Sequence, residues 1–126
     1  MTRRLLLDTD VLVEYLRGRP RAAEYLERLD GELHVSVVTV AELFAGAREG
    51  EEDRLRRFLA TFAVRPVTES VAEAGGRYRG SWGPSHGTGL ADALIAATAS
   101  ETGCTLVTFN ERHFPMLDAV EVPYGR

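Results

Sequence analysis

The segment Leu5-Leu6-Leu7-Asp8-Thr9-Asp10-Val11-Leu12 says most about how this chain folds. Its first three residues are too few for a helix and have no polar face, which predicts a strand buried on both sides. The apolar positions after Asp10 follow helical spacing until Gly18. Asp8 is therefore predicted to stand where a buried strand ends and a helix begins.

The same alternation of short apolar runs and helical patterns continues along the chain. Further strands are predicted at residues 34–38, 64–67, 105–107 and 120–122, and helices at 21–29, from 39, around 55–62, from 70 and over 91–99. Residues 75–89 hold six of the twelve glycines and Pro84, which predicts a loop. Alternating strands and helices imply parallel pairing through right-handed crossovers. We expect a single α/β domain over residues 1–126, a three-layer α/β/α sandwich around a mostly parallel sheet of about five strands.

Composition excludes several classes of function. All 15 basic residues are arginines, so mechanisms that need a catalytic lysine and phosphate-binding loops ending in Gly-Lys-Ser/Thr are ruled out. The net charge of −4 means that nucleic acid would have to bind a local arginine surface. Cys104 is the one cysteine, so it forms no disulfide within the chain, and we expect it to pack as a small apolar residue. No apolar run approaches the roughly 18 residues of a membrane span or the core of a signal peptide, which predicts a cytoplasmic protein.

Polar side chains are predicted at one edge of the sheet, although they are far apart in sequence. Asp8 ends the first strand, Glu42 lies in the first turn of the helix after the second, and Asp92 opens the helix after the glycine-rich segment. Asn110 follows the strand at 105–107. The carboxyl ends of parallel strands form the crevice where ligands bind. Crowded carboxylates repel one another unless a cation holds them, and oxygen ligands favour Mg²⁺ or Mn²⁺.

Each of these residues also has a purely structural interpretation. Asp8 and Asn110 are common turn residues. Thr39 and Glu42 have the spacing of a capping box, in which Glu42 would bond back to a backbone N–H. Asp92 is placed to offset a helix dipole, although it interrupts an otherwise small and apolar stretch.

Four segments, in this order, resemble the successive motifs of PIN-domain ribonucleases, and most closely those of the toxin half of VapBC toxin–antitoxin systems. The resemblance covers essentially the whole chain. The segments are Leu5-Leu6-Leu7-Asp8-Thr9-Asp10-Val11-Leu12, Ser36-Val37-Val38-Thr39-Val40-Ala41-Glu42-Leu43, Ala91-Asp92-Ala93-Leu94-Ile95-Ala96-Ala97-Thr98-Ala99 and Leu106-Val107-Thr108-Phe109-Asn110-Glu111-Arg112-His113-Phe114.

The resemblance implies an endoribonuclease that uses Mg²⁺ or Mn²⁺, forms a homodimer, and is held inactive by a cognate antitoxin. Asp8, Glu42 and Asp92 match the acidic triad of the family. Asn110 stands where many members have a fourth aspartate, and as a neutral ligand it leaves the number of metal ions, one or two, open.

The resemblance also suggests residues that support the site. Thr9 and Thr108 match positions where a hydroxyl assists, although either could be a capping or turn residue. His113 is expected to be structural rather than a general base, because a metal-bound water needs no imidazole.

Two groups of arginines are candidates for contacting RNA. Tyr78 and Trp82 near the second group could stack on unpaired bases. The alternative for both groups is a solvated face balanced by nearby glutamates. The candidates are Arg17, Arg19 and Arg21 around a Gly-Pro turn, and Arg77 and Arg79 in the glycine-rich segment.

Two other functions remain open at this point. Asp8-Thr9-Asp10 after a strand resembles the nucleophile motif of haloacid-dehalogenase-type phosphohydrolases, with Asp8 as the nucleophile and Asp10 as the acid/base. That family also uses a basic residue, usually lysine, and a later acidic pair. The neutral Asn110 suggests the second alternative, a non-catalytic RNA-binding module that keeps the fold with a weakened site.

Overall fold

The computed structural model describes residues 2–126, and its strands form one sheet in which every pairing is parallel. The strands are β1 (Arg4–Leu7), β2 (Glu32–Ser36), β3 (Ala63–Arg65), β4 (Thr105–Val107) and β5 (Val120–Glu121). The order across the sheet is β3-β2-β1-β4-β5, so the first strand lies at the centre.

Helices connect the strands and cover the sheet on both faces, so the expected three-layer α/β/α sandwich with five strands is confirmed. A 3₁₀ turn at Glu111–His113 follows β4. The helices are α1 (Thr9–Leu16), α2 (Pro20–Arg28), α3 (Val37–Ala45), α4 (Glu52–Leu59), α5 (Glu69–His86) and α6 (Leu90–Thr102). None of the helices in residues 2–126 combines the length and the apolar character that crossing a bilayer would require.

The three leucines of β1 divide between two hydrophobic clusters, as the period of two in a strand requires. Leu5 and Leu7 pack with residues of α1, α3 and α4 on one face. Leu6 packs on the other face with α6, β4 and Cys104, which is buried as expected. All three leucines are fully inaccessible to solvent. The end of β1, and hence Asp8, is therefore fixed by packing from both sides.

Two sequence-based predictions about helices are wrong. The helix predicted to start at Thr39 begins at Val37, because β2 runs directly into α3 and the Ser36 side chain caps it by accepting from the Val38 N–H at 3.0 Å. Residues 75–89 are not a loop, since α5 continues to His86 and ends at Gly87, whose φ is +67°.

One glycine of α5, Gly75, allows close packing between helices. A Cβ on Gly75 would lie 2.7 Å from Cδ2 and 3.2 Å from Cα of Leu94, so α5 approaches α6 more closely there than any other residue would allow. The strand and helix bounds otherwise agree with the sequence-based ones within a few residues. The packing of α5 on α6 holds the helix that carries Asp92.

Candidate active site

Asp8 is bound by backbone and side-chain groups as soon as β1 ends. Its N–H continues the sheet by donating to the Val107 carbonyl oxygen at 2.9 Å. Its carboxylate caps α1 by accepting from the Thr9 N–H at 2.8 Å, and its other oxygen accepts from the Thr108 hydroxyl at 2.8 Å. Only 5% of the residue is exposed. Asp8 is therefore a buried carboxylate held in one orientation by two neighbouring strands and a helix N-terminus.

Burial raises the pKa of Asp8 to about 7, and the neighbouring charges of Asp10 and Asp92 add to this rise. The hydrogen bonds from Thr108 and Thr9 oppose it. A buried carboxylate facing other carboxylates is an unfavourable arrangement unless a proton or a cation balances the charge. The charge of Asp92 acts on Asp8, so the structure brings these two predicted residues to the same edge of the sheet.

Glu42 is connected to this edge of the sheet by a hydrogen bond from Thr9. Its carboxylate accepts from the Thr9 hydroxyl at 2.6 Å, and the Thr39 hydroxyl lies 3.0 Å from that of Thr9. The capping-box interpretation is wrong, because Ser36 caps α3 and Glu42 stands in the second turn of that helix, not in its first. The Glu42 side chain thus bonds to a neighbour of Asp8 and not to the start of its own helix.

Asp92 lies in the first turn of α6, where no side chain caps the helix. Its Oδ2 atom is 3.2 Å from Nδ1 of His113, and the side chains are 29% and 37% exposed, respectively. The His113 carbonyl oxygen accepts from the buried Thr88 hydroxyl at 2.7 Å. His113 is therefore fixed by its backbone and placed beside Asp92.

Asp10 is a site residue that the sequence analysis considered only as a phosphohydrolase acid/base. Its Oδ2 accepts from the Phe109 N–H and from the Asn110 side-chain Nδ2, both at 3.1 Å. The Asn110 backbone N–H donates to the Thr108 hydroxyl oxygen at 3.0 Å. Burial raises the pKa of Asp10, while the Phe109 N–H and the positive charge of Arg126 oppose that rise.

The donor set at this edge fits a hard divalent cation. All of its acidic ligand candidates are carboxylate oxygens, which suit Mg²⁺ or Mn²⁺. The Oδ1 atom of Asp10 is buried without a hydrogen-bond partner, so the cluster has more acceptors than donors. Within residues 2–126, no three acidic, histidine or cysteine side chains converge on one coordination point. Glu42 bonds to Thr9 and Asp92 lies beside His113.

The candidate arginines do not form one surface. Arg17 lines a cleft of about 420 Å³ between α1, α3 and α4 that also contains Glu42. Arg21 instead donates to the Gly125 carbonyl oxygen at 2.7 Å and stacks on the Tyr124 ring, so it fastens the C-terminal segment. Arg19 is exposed just before α2.

Arg77 and Arg79 lie on the exposed surface of α5, with the half-buried Trp82 packed against His86. Arg48 and Arg54, which no sequence pattern distinguishes, line the same cleft as Arg17. Three arginines and two glutamates, Glu42 and Glu51, line this cleft. The cleft is therefore a surface with more arginines than acids that adjoins Glu42.

The model of the PIN domain family matches residues 5–119. The chain is 42% identical over 124 residues to Ribonuclease VapC10 of Mycobacterium tuberculosis, which covers 96% of this chain and 93% of that protein. A toxin–antitoxin complex from Klebsiella pneumoniae superposes with a TM-score of 0.83 at 30% identity, covering 95% of this chain and 98% of that one. FitAcB from Neisseria gonorrhoeae superposes at 0.78 with 33% identity, covering 94% and 97%. The chain therefore belongs to the PIN domain family, together with the VapC proteins.

Proposed function

We propose that this protein is an endoribonuclease dependent on Mg²⁺ or Mn²⁺, with the cation held by Asp8, Glu42 and Asp92. The observation that carries the proposal is the buried Asp8, whose pKa is raised to about 7 by burial and by neighbouring carboxylates. Such a residue is unfavourable for the fold and suits a cation. The relatives named as ribonucleases, at about two-fifths identity, supply the substrate class.

The chain's own residues orient the ligands. Thr108 and the Thr9 N–H fix the two oxygens of Asp8, the Thr9 hydroxyl fixes Glu42, and His113 positions Asp92. Asn110 is the further site member, offering a neutral amide at the same edge. When bound, a divalent cation activates a water molecule and stabilises negative charge on the phosphodiester.

The cleft beside Glu42 is the proposed path of the RNA. Its lining contains apolar side chains, three arginines and two glutamates, so the arginines outnumber the acids there. These arginines offer positive charge to phosphates next to the acidic edge. The charged residues are Arg17, Arg48, Arg54, Glu42 and Glu51. The exposed Arg19, Arg77 and Arg79 remain candidates for outer contacts, whereas the bonds of Arg21 commit it to the C-terminal segment.

The phosphohydrolase alternative is disfavoured by the position of Asp10. A general acid/base must be free to exchange a proton with the substrate. The Oδ2 atom of Asp10 already accepts hydrogen bonds from Phe109 and Asn110, and its Oδ1 atom is buried.

The chain is further proposed to act as the toxin of a toxin–antitoxin pair and to form a homodimer. Solved structures similar to it are described as toxin–antitoxin complexes. An acidic edge beside an open cleft favours inhibition by a partner segment that carries an arginine, whose guanidinium would bond carboxylates in a bidentate manner.

Replacing a ligand should remove cleavage without unfolding the protein. We expect wild-type protein to cut fluorescent single-stranded RNA with Mg²⁺ but not with EDTA, and Asp8→Asn to be inactive. Glu42→Gln should lose most activity at limiting Mg²⁺ and recover part of it at high Mn²⁺. Glutamine can still accept from the Thr9 hydroxyl but has lost the negative charge.

Glu49→Gln is the matched control, because Glu49 is an exposed glutamate in the turn that follows α3. It should cut RNA like the wild type. Retained Mg²⁺-dependent cleavage by purified Asp8→Asn protein would refute the proposed site, and full activity of Glu42→Gln at limiting Mg²⁺ would remove Glu42 from it.

The cleft should contribute to RNA binding through its arginines. We expect Arg54→Ala to raise KM for RNA about fivefold to tenfold at low salt, with a shallower salt dependence, because one phosphate contact is lost. Arg57→Ala, an exposed arginine of the same helix, is the control and should change KM little. Equal effects of the two substitutions in steady-state cleavage assays would argue against the cleft as the RNA path.

The toxin assignment predicts a protein inhibitor from the neighbouring gene. Co-expression should yield a complex that does not cleave RNA, and light scattering should give a dimer mass for the free toxin. When the inhibitor's arginines are replaced one at a time, cleavage should be restored only by the replacement of the arginine that contacts the acidic edge. A neighbour that binds but leaves cleavage unchanged would contradict this model of inhibition.

A further inference from the structure

The side-chain amide of Asn110 is oriented by a hydrogen bond to the Asp10 carboxylate. An asparagine amide presents an oxygen acceptor at one end and an NH₂ donor at the other, and its neighbours decide which end faces where. Here Nδ2 donates to Oδ2 of Asp10 at 3.1 Å. The NH₂ end is therefore committed to Asp10, and the carbonyl oxygen is the end left for other partners.

The same contact explains why residue 110 is neutral in this chain. An aspartate at 110 would place a second carboxylate about 3 Å from Asp10, where two like charges repel strongly. Asp10 also accepts from the Phe109 N–H at 3.1 Å, so its carboxylate is fixed in place and cannot turn away without breaking two bonds. Moreover, the Oδ1 atom of Asp10 is buried and has no hydrogen-bond donor. The surroundings of Asp10 therefore lack donors that could stabilise a second carboxylate beside it.

Thr108 connects this pair to the centre of the site. Its hydroxyl oxygen accepts from the Asn110 backbone N–H at 3.0 Å and donates to Asp8 at 2.8 Å, and it lies 3.3 Å from Oδ2 of Asp10. A change at Asp10 is therefore transmitted both to the Asn110 amide and to the hydroxyl that orients Asp8.

We propose that Asp10 is the positioning residue of this site: it carries the negative charge that a fourth acid at 110 would supply, and it turns the Asn110 amide so that its carbonyl oxygen faces the acidic edge. The expected effect of Asp10 on cleavage rests on the proposed nuclease function. The pairing itself concerns the fold and is testable without RNA.

The first test measures thermal unfolding in EDTA at one fixed pH for wild type, Asp10→Asn, Asn110→Asp and the double variant. Introducing Asp at 110 should lower Tm by about 3–6 °C when Asp10 is present. It should lower Tm by no more than about 1 °C when residue 10 is Asn, because an amide can donate to the new carboxylate. Equal costs in the two backgrounds would overturn the pairing.

The second test asks whether Asp10 acts through Asn110. The Mg²⁺ concentration for half-maximal RNA cleavage should rise about tenfold in Asp10→Ala and in Asn110→Ala, and no further in the double variant. A rise of about a hundredfold in the double variant would show independent roles and overturn the proposal. Glu111→Gln is the control, because Glu111 is an exposed acid next to Asn110. Its Tm should stay within about 1 °C of wild type, and its half-maximal Mg²⁺ concentration within about twofold. If wild-type protein cleaves no RNA, the proposed function fails, while the unfolding measurements still decide the pairing.

Discussion

A negative charge buried at the end of the central strand is the constraint on which the rest of this structure depends. Asp8 is enclosed because the three leucines of β1 are fully inaccessible and Val107 continues the sheet beside it. Two hydrogen bonds, from Thr9 and Thr108, compensate part of the cost of desolvating the carboxylate. The desolvation cost that these bonds leave uncompensated raises the pKa of Asp8, and a bound cation would remove this cost.

Threonine hydroxyls organise the surrounding acids. Thr9 bonds Glu42 and Thr108 bonds Asp8, so acids from α3 and from the end of β1 are oriented by residues of α1 and of the segment after β4. A hydroxyl donates a hydrogen bond to a carboxylate without neutralising its charge. An arginine or lysine at the same position would neutralise that charge. The arrangement keeps the negative charge available while fixing its direction, and this is what a preorganised cation site requires.

The parts of the site that the sequence predicted are those encoded by local patterns. An apolar run ending in Asp8, and an acid interrupting the small apolar residues around Asp92, are visible in a few neighbouring residues. The charge of Asp92 acts on Asp8, so these two residues lie near each other. The parallel sheet predicted from the alternation of strands and helices is confirmed.

The errors arose where tertiary contacts override local signals. No local pattern at Ser36 and Val37 indicates that a strand passes directly into a helix, so the sequence predicts a later start for α3 and a capping role for Glu42. The glycines of α5 suggested a loop, whereas Gly75 is required by the close approach of Leu94. The contact between Asp10 and Asn110 has no local signal, because the two residues are 100 positions apart in the chain.

The most direct test of this account is the free energy of unfolding of metal-free protein between pH 4 and pH 8, for wild type and Asp8→Asn. Because the pKa of Asp8 rises from 3.8 to about 7 on folding, the folded state binds a proton that the unfolded state has lost within this window. The contribution of Asp8 to stability should therefore be greatest near pH 4 and fall as pH rises towards 7, by up to about 4 kcal/mol. Asp8→Asn should remove that fall and leave the part of the pH dependence that is due to Asp10, whose pKa is also raised. Mn²⁺ at pH 8 should stabilise the wild type but not the variant. The same pH dependence in both proteins, or equal stabilisation of both by Mn²⁺, would contradict the claim that Asp8 is a buried cation ligand.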